Sequence, residues 1–199
     1  MDKNQKHKES MQKQKEKIDA NIESASIERG VSILLTGNGK GKSSSAFGMV
    51  MRALGYGHKV AVVQFIKGQQ LSGEEIYIRN QYPDMYFYQM GTGFTWDTQD
   101  RTADIEAAKT TWLKVVPLLQ DASYDLVVLD ELTYMLAFKY LDEEMIITAL
   151  KNRPESQSLV VTGRGGGSAL QDIMDTVSEV KDIKHAYNSG IKARQGVDY

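Results

Sequence analysis

A segment rich in glycine and lysine, TGNGKGKSS, occupies positions 36–44. Its glycines let the backbone turn so that successive N–H groups point at one anion, and a helix beginning near Lys42 adds the positive end of its dipole. The Lys42 ammonium can then reach phosphate oxygens, and the Ser43 hydroxyl can ligate Mg²⁺. Thr36 stands where the usual motif has its first glycine. The pattern therefore predicts a phosphate-binding loop of a variant kind.

Two adjacent carboxylates form the second feature able to do chemistry. Asp130 and Glu131 directly follow the apolar run Leu126–Leu129. In phosphate-loop proteins a carboxylate at such a strand end commonly supplies a further Mg²⁺ contact. One of the two could instead cap the following helix, and spacing leaves open which of them contacts the ion. Together the loop and the carboxylates predict Mg-nucleotide binding without indicating the reaction.

Other candidate binding residues lie in segments that follow apolar runs. Phe94 and Trp96 occupy the glycine-flanked loop 91–97 and share one side if that segment is extended. Core packing could explain the pair, but a loop position favours a flat apolar ligand. Arg164 follows the run Leu159–Val161 and could bind phosphate or neutralise carboxylates, and Arg52 is a weaker candidate of the same kind.

The elements that must position these residues alternate between short apolar runs and helical stretches. Continuous apolar runs are typical of strands buried on both faces, as in a parallel sheet flanked by helices. The pattern predicts an α/β fold with its ligand site at the carboxyl edge of the sheet. The predicted strands are 31–35, 60–66, 85–90, 126–129 and 159–161, and the predicted helices are 43–54, 74–80, 102–119, 143–150 and 169–177.

Composition excludes several classes of protein. The 24 Lys and Arg residues against 26 Asp and Glu residues give a net charge of −2, which offers no overall attraction to nucleic acid or anionic lipid. The absence of cysteine excludes disulfides and sulfur-based metal sites, and the three histidines have no companion at a ligand spacing. Nothing in the sequence marks export or membrane insertion, so we expect a cytoplasmic protein.

The first 30 residues differ from the rest of the chain. They are polar and rich in lysine, and Met11, Ile18 and Ile22 form a thin apolar stripe at helical spacing. Two interpretations remain open: a partly disordered, solvated arm, or a segment that orders on a partner subunit or ligand. We therefore expect an N-terminal arm at 1–30 and a single α/β nucleotide-binding domain at 31–199.

Several motifs in combination resemble those of the ATP:corrinoid adenosyltransferases of the phosphate-loop type. The resemblance extends over nearly the whole chain and rests on TGNGKGKSSSAFGMVMRALGYGHKVAVVQFIKG, GTGFTW, DLVVLDELTYML, VVTGRG and KHAYNSGIKARQGVDY. It implies a RecA-like fold, a homodimer, and ATP with Mg²⁺. The implied reaction transfers the 5′-deoxyadenosyl group of ATP to the Co(I) of a corrinoid such as cob(I)alamin, with triphosphate leaving.

The same resemblance assigns roles to individual residues. It implies that Ser43 and Glu131 contact Mg²⁺, that Phe94 and Trp96 lie on the lower face of the corrin, and that the arm folds over the bound corrinoid. The sequence Gly165-Gly-Gly-Ser168 departs from the more polar segment expected after TGRG. The residues implied to hold the triphosphate are Gly37, Asn38, Gly39, Lys40, Gly41, Lys42, Ser43 and Ser44.

The adenosyl transfer implied by the resemblance needs no catalytic histidine or cysteine, and the sequence offers no candidate for either. Co(I) is a strong nucleophile, so its attack on C5′ needs alignment and charge stabilisation rather than a general base. The chain has no flavin fingerprint, so the electron that makes Co(I) should come from a separate flavin-type reductase. The alternatives are a phosphate-loop NTPase or small-molecule kinase and, less favoured by the charge, a nucleic-acid-binding module.

Overall fold

The structure is a computed structural model that describes residues 2–66, 71–91 and 100–199. Strands and helices alternate along most of the chain, as the sequence pattern predicts, except that two helices lie between the fourth and fifth strands. The strands are β1 (Ser32–Thr36), β2 (Val60–Gln64), β3 (Tyr86–Gln89), β4 (Leu126–Asp130), β5 (Ser158–Thr162) and β6 (Thr176–Glu179). The described helices are α1 (Lys3–Ser24), α2 (Lys42–Gly55), α3 (Gly73–Gln81), α4 (Arg101–Gln120), α5 (Thr133–Ala137), α6 (Glu143–Lys151) and α7 (Gly167–Asp172), with a 3₁₀ turn at Ala186–Ser189.

Within the described residues, six strands form one sheet in the order β3-β2-β4-β5-β1-β6, and every pairing among them is parallel. Strand β5 lies between β1, which leads into the phosphate loop, and β4, which ends in the carboxylates. Parallel strands bring their carboxyl ends to one edge, so residues far apart in sequence meet there. The predicted α/β fold, a parallel sheet flanked by helices, is confirmed.

The core lies on both faces of this sheet because the strands are apolar on both sides. In β2, Ala61 and Val63 face a layer that includes Trp112 of α4, whereas Val60 and Val62 face a layer that includes Phe47 of α2. All five residues of β4 are buried. This burial explains why the central strands read as continuous apolar runs instead of alternating ones.

The end of the chain differs from the sequence-based expectation. The helix predicted at 169–177 ends at Asp172, and Val177 belongs to β6 instead. All four residues of β6 are exposed, since it is an edge strand that pairs with β1 alone. An exposed edge strand needs no apolar run, so the sequence carries no strong signal for it.

Most of the N-terminal arm forms the helix α1, and none of the residues of that helix is buried. The side chain of Asp2 caps it by accepting a hydrogen bond from the Asn4 N–H. Its apolar stripe is open to solvent: Met11, Ile18 and Ile22 are 45%, 48% and 65% exposed. Ordering of this arm on a ligand or partner stays a prediction. Among the described residues, no helix combines the length and the apolar character needed to cross a membrane.

Candidate active site

The phosphate loop runs from the end of β1 to the start of α2, where the sequence places it. Gly37 and Gly41 have φ values of +97° and +119°, which glycine adopts without strain. The loop also touches the segment after β6: Val180 N–H donates to the Thr36 carbonyl at 2.8 Å, and Gly39 N–H donates to the Val180 carbonyl at 2.7 Å. The turn therefore depends on glycine for its dihedral angles and for its close contact with residue 180.

Replacing Gly37 with alanine should impair ATP binding. A Cβ there would lie 2.4 Å from the Val180 carbonyl oxygen, and the positive φ adds strain of about 1–3 kcal/mol. The matched control is Gly48→Ala in α2, where a Cβ meets no atom within 4 Å and should stabilise the helix by about 0.5–1 kcal/mol. Calorimetric ATP titrations and melting temperatures check both variants. Unchanged ATP affinity in Gly37→Ala would contradict the close packing.

Lys42 is a buried cation at the first position of α2. Only 7% of Lys42 is exposed, and its Nζ donates a hydrogen bond to the Gly39 carbonyl at 2.8 Å. Burial lowers the pKa of Lys42 from its ordinary value, and the nearby Glu131 carboxylate partly opposes that shift. A buried ammonium at the base of a glycine loop is stabilised by an incoming anion, so Lys42 suits a phosphate oxygen.

The structure distinguishes the environments of the two carboxylates, Asp130 and Glu131, which their spacing in the sequence could not do. Asp130 is 2% exposed, and its two oxygens accept hydrogen bonds from Thr162 Oγ1 at 2.6 Å and from Gln64 Nε2 at 2.8 Å. Glu131 follows it with a φ of +61°, a strained value for a residue that is not glycine. The Oε2 atom of Glu131 is buried and has no hydrogen-bond partner among the described residues.

The electrostatic environment of Glu131 fits a cation. Burial, with a smaller contribution from the Asp130 charge, raises the pKa of Glu131 to about 7, while Lys42 and Arg164 act in the opposite direction. A buried carboxylate oxygen without a partner is costly unless a ligand satisfies it. Carboxylate and hydroxyl oxygens are the ligands that Mg²⁺ prefers, and Ser43 is the second residue of α2, directly after Lys42. The residues present therefore fit a magnesium ion.

The turn after β5 completes this edge of the sheet. Gly163 has a φ of +141°, and a Cβ there would lie 2.0 Å from Thr133 Oγ1, so only glycine fits. The Thr133 hydroxyl also donates to the Arg164 carbonyl at 3.1 Å. The exposed Arg164 side chain is close enough to influence the pKa values of Lys42 and Glu131. Arg164, the cation predicted in the TGRG turn, therefore lies at the same edge of the sheet as the phosphate loop.

Other predicted site residues are placed less centrally. Ser43 is half-buried in the first turn of α2, whereas Asn38 and Ser44 are exposed. Arg52 lies in the last turn of α2, which puts it about 15 Å from Lys42 along the helix axis, and the structure does not bring it to the loop. Phe94 and Trp96 lie outside the described residues.

The structure also brings in residues that the sequence analysis does not single out. Asp198 is one of them: one of its carboxylate oxygens forms an ion pair of 2.9 Å with Lys40, and the other accepts a hydrogen bond from the Arg194 N–H, four residues earlier in the chain. Gln64 and Thr162 hold Asp130 from the ends of two flanking strands. No sequence signal indicates these partners, because each contact joins segments that are distant along the chain.

The geometry and the motifs can now be compared with known proteins. Residues 28–199 match the family model of the ATP:corrinoid adenosyltransferases BtuR/CobO/CobP. The chain belongs to this family. The match includes the phosphate loop, both carboxylates, the aromatic loop and the TGRG turn, and so confirms the resemblance that the motifs carry.

Several curated relatives have comparable length. The chain is 46% identical to the corrinoid adenosyltransferase of Escherichia coli K12 over 195 residues, which is 98% of each chain. It is 48% identical to the corrinoid adenosyltransferase of Pseudomonas aeruginosa over 198 residues, covering 100% of this chain and 98% of the relative. The corrinoid adenosyltransferase CobA of Salmonella typhimurium LT2 is 46% identical, with 98% of each chain covered.

Proposed function

We propose that the protein transfers the 5′-deoxyadenosyl group of ATP to the Co(I) of a corrinoid such as cob(I)alamin and releases inorganic triphosphate. Membership of the adenosyltransferase family supports this reaction. The structural observation that supports it most directly is that the buried Lys42 ammonium lies near a buried carboxylate oxygen of Glu131 that has no hydrogen-bond partner among the described residues. That pairing suits a metal-bound triphosphate.

The protein's part in the reaction is to bind ATP, align it and stabilise the leaving group. The loop from Gly37 to Ser44 binds the triphosphate, with Lys42 supplying a fixed positive charge. Co(I) of the corrinoid substrate attacks C5′, a Co–C bond forms with the cobalt electron pair, and the C5′–O bond breaks toward the triphosphate. Charge then increases on the leaving oxygen, where preorganised cations lower the barrier most. No side chain needs to remove a proton.

Ser43 and Glu131 are the residues that would hold Mg²⁺ with the nucleotide. When bound, the ion neutralises charge on the triphosphate. Asp130 is already held by Thr162 and Gln64, so it is the weaker candidate for a direct ligand. Arg164 is placed to add a second fixed cation near the same phosphates.

The corrinoid side of the site is assigned to the loop that follows β3. Met90, the last described buried residue before that loop, donates its N–H to the Gln64 carbonyl at 2.9 Å, so the loop starts at the carboxyl edge that also holds Asp130. Phe94 and Trp96 follow it in the chain. Our proposal is that they displace the lower axial ligand of Co(II), which makes reduction to Co(I) easier.

Replacing Phe94 or Trp96 with alanine should therefore separate two activities. Each variant should fail with Co(II) and a mild protein reductant, yet retain much activity with preformed Co(I), because only the first route needs the ligand displaced. Paired rate measurements on each variant test this. Simple core residues would instead lower both rates together, since truncating a buried aromatic costs about 3–5 kcal/mol of stability. Melting temperature is the control for folding.

The N-terminal arm is proposed to close over the bound corrinoid. Deleting residues 1–25 should leave the melting temperature and MgATP affinity nearly unchanged, because α1 buries none of its residues. Corrinoid affinity should weaken. Calorimetric titration of the truncated and full chains with each substrate checks the prediction. An equal loss of stability in the ligand-free truncated protein would make the arm a structural element instead.

The remaining assignments concern the protein's partners and location. We propose a homodimer that works in the cytoplasm and receives electrons from an external reduced-flavin protein, since the chain contains no cysteine pair that could carry them. Nucleic acid and membranes are not proposed as partners. The net charge of −2 supports that choice.

A direct assay tests the proposed function. The protein is incubated with MgATP and chemically generated Co(I) corrinoid, and the absorption of the alkyl-cobalt product is followed while the released phosphates are identified. We expect product formation with stoichiometric inorganic triphosphate. Release of ADP without a Co–C product would favour the phosphate-loop NTPase or kinase alternative.

A further inference from the structure

We propose that Thr162 and Asp130 are positioning residues that hold Glu131 ready to bind the cation of MgATP. The inference rests on the proposed function only in taking MgATP as the nucleotide. It extends that function by giving a role to the end of β5. The observation behind it is one hydroxyl group that contacts both residues of the carboxylate pair.

The Thr162 hydroxyl bridges the ends of β4 and β5. It donates to Asp130 Oδ1 at 2.6 Å and accepts from the Glu131 N–H at 2.9 Å. A hydroxyl has one proton to donate, so the carboxylate of Asp130 sets its direction and leaves a lone pair for the Glu131 N–H. Thr162 is completely buried, so water cannot replace either contact.

This bridge acts at the point where the backbone is strained. Glu131 has a φ of +61°, a conformation that such a residue adopts only when its surroundings impose it. The hydrogen bond from the Glu131 N–H to the Thr162 hydroxyl fixes the peptide group that joins Asp130 to Glu131. With that peptide fixed, the Glu131 side chain leaves β4 in a defined direction, with its Oε2 buried and unpartnered among the described residues.

Asp130 has its own support. Gln64 Nε2 donates to its Oδ2 at 2.8 Å, and Gln89 Nε2 donates to Gln64 Oε1 at 2.9 Å. These contacts continue the network across β2 to β3. Both Asp130 oxygens are therefore committed within the protein, which favours a positioning role for Asp130 and leaves Glu131 as the residue that contacts the ion.

The test measures the Mg²⁺ concentration needed for half-maximal ATP binding, in the absence of corrinoid. Thr162→Ala and Thr162→Ser lose the same methyl group, but only serine keeps the hydroxyl. Thr162→Val keeps the shape of threonine without the hydroxyl and serves as a second variant if the alanine variant does not fold. Melting temperatures and ATP affinity without metal are recorded for each.

We expect the alanine and valine variants to need about tenfold more Mg²⁺, as is typical when a residue supporting a metal ligand is lost. The serine variant should resemble the wild type, and the affinity for metal-free ATP should not change. A wild-type Mg²⁺ requirement in Thr162→Ala or Thr162→Val would overturn the proposal. So would an equal defect in Thr162→Ser, because the methyl group would then be responsible.

The outcome is independent of the transfer reaction. If the wild-type protein binds MgATP but forms no Co–C product, the proposed function fails while the comparison of Thr162 variants still stands. If Asp130 were itself the ligand, Asp130→Asn would raise the Mg²⁺ requirement while Thr162→Ala would not. That combination would also overturn the positioning role.

Discussion

Replacing Lys42 with alanine should lower the rate of adenosyl transfer by about 100- to 1000-fold, the loss typical when one preorganised group that stabilises developing charge is removed. The ammonium is buried beside the glycine loop and near Glu131, so water cannot supply an equivalent charge. The protein should stay folded, because burial already disfavours the charged side chain. Transfer rates with saturating Co(I) corrinoid and a melting curve measure both effects.

Lys40 provides the matched control from the same loop. Its ammonium is 44% exposed and pairs with Asp198, and an exposed ion pair of this kind contributes about 0–1 kcal/mol. Lys40→Ala should therefore cost much less activity than Lys42→Ala. Near-normal activity in Lys42→Ala would contradict the nucleotide assignment itself.

Replacing Glu131 with glutamine should weaken Mg²⁺-dependent ATP use by about 10- to 100-fold, because an amide is a poorer ligand for a hard cation than a carboxylate. Raised Mg²⁺ should recover part of the loss if the role is metal coordination. ATP titrations at several Mg²⁺ concentrations measure this. A defect that Mg²⁺ leaves unchanged would indicate a structural role for Glu131.

The same variant should show a pH-dependent gain in stability without ligands. Burial raises the pKa of Glu131 from 4.5 to about 7, so between these values the folded protein holds a proton that the unfolded chain has released. This group therefore makes the wild type less stable as pH rises from about 4.5 to about 7, by about 3 kcal/mol in all, and the loss is complete above pH 7. Glu131→Gln should melt higher than the wild type at pH 8, and the difference should shrink toward pH 5. A difference independent of pH would contradict the shifted pKa.

Much of the candidate nucleotide site could be predicted from the sequence because its signals are local. The glycines, Lys42 and Ser43 are contiguous, and the carboxylate pair directly follows an apolar strand. The order of the strands through β5 was also predictable, since strands buried on both faces require continuous apolar runs. These features need only a few neighbouring residues to be recognised.

Other features depend on contacts between distant segments, and only the tertiary structure decided them. Strand β6 is exposed at the sheet edge, so its residues carry no apolar run. Asp130 and Glu131 are chemically alike in sequence, and they differ because Thr162 and Gln64 bind one of them while burial isolates an oxygen of the other. The pairing of Lys40 with Asp198 arises in the same way, because the folded chain brings its last residues to the phosphate loop.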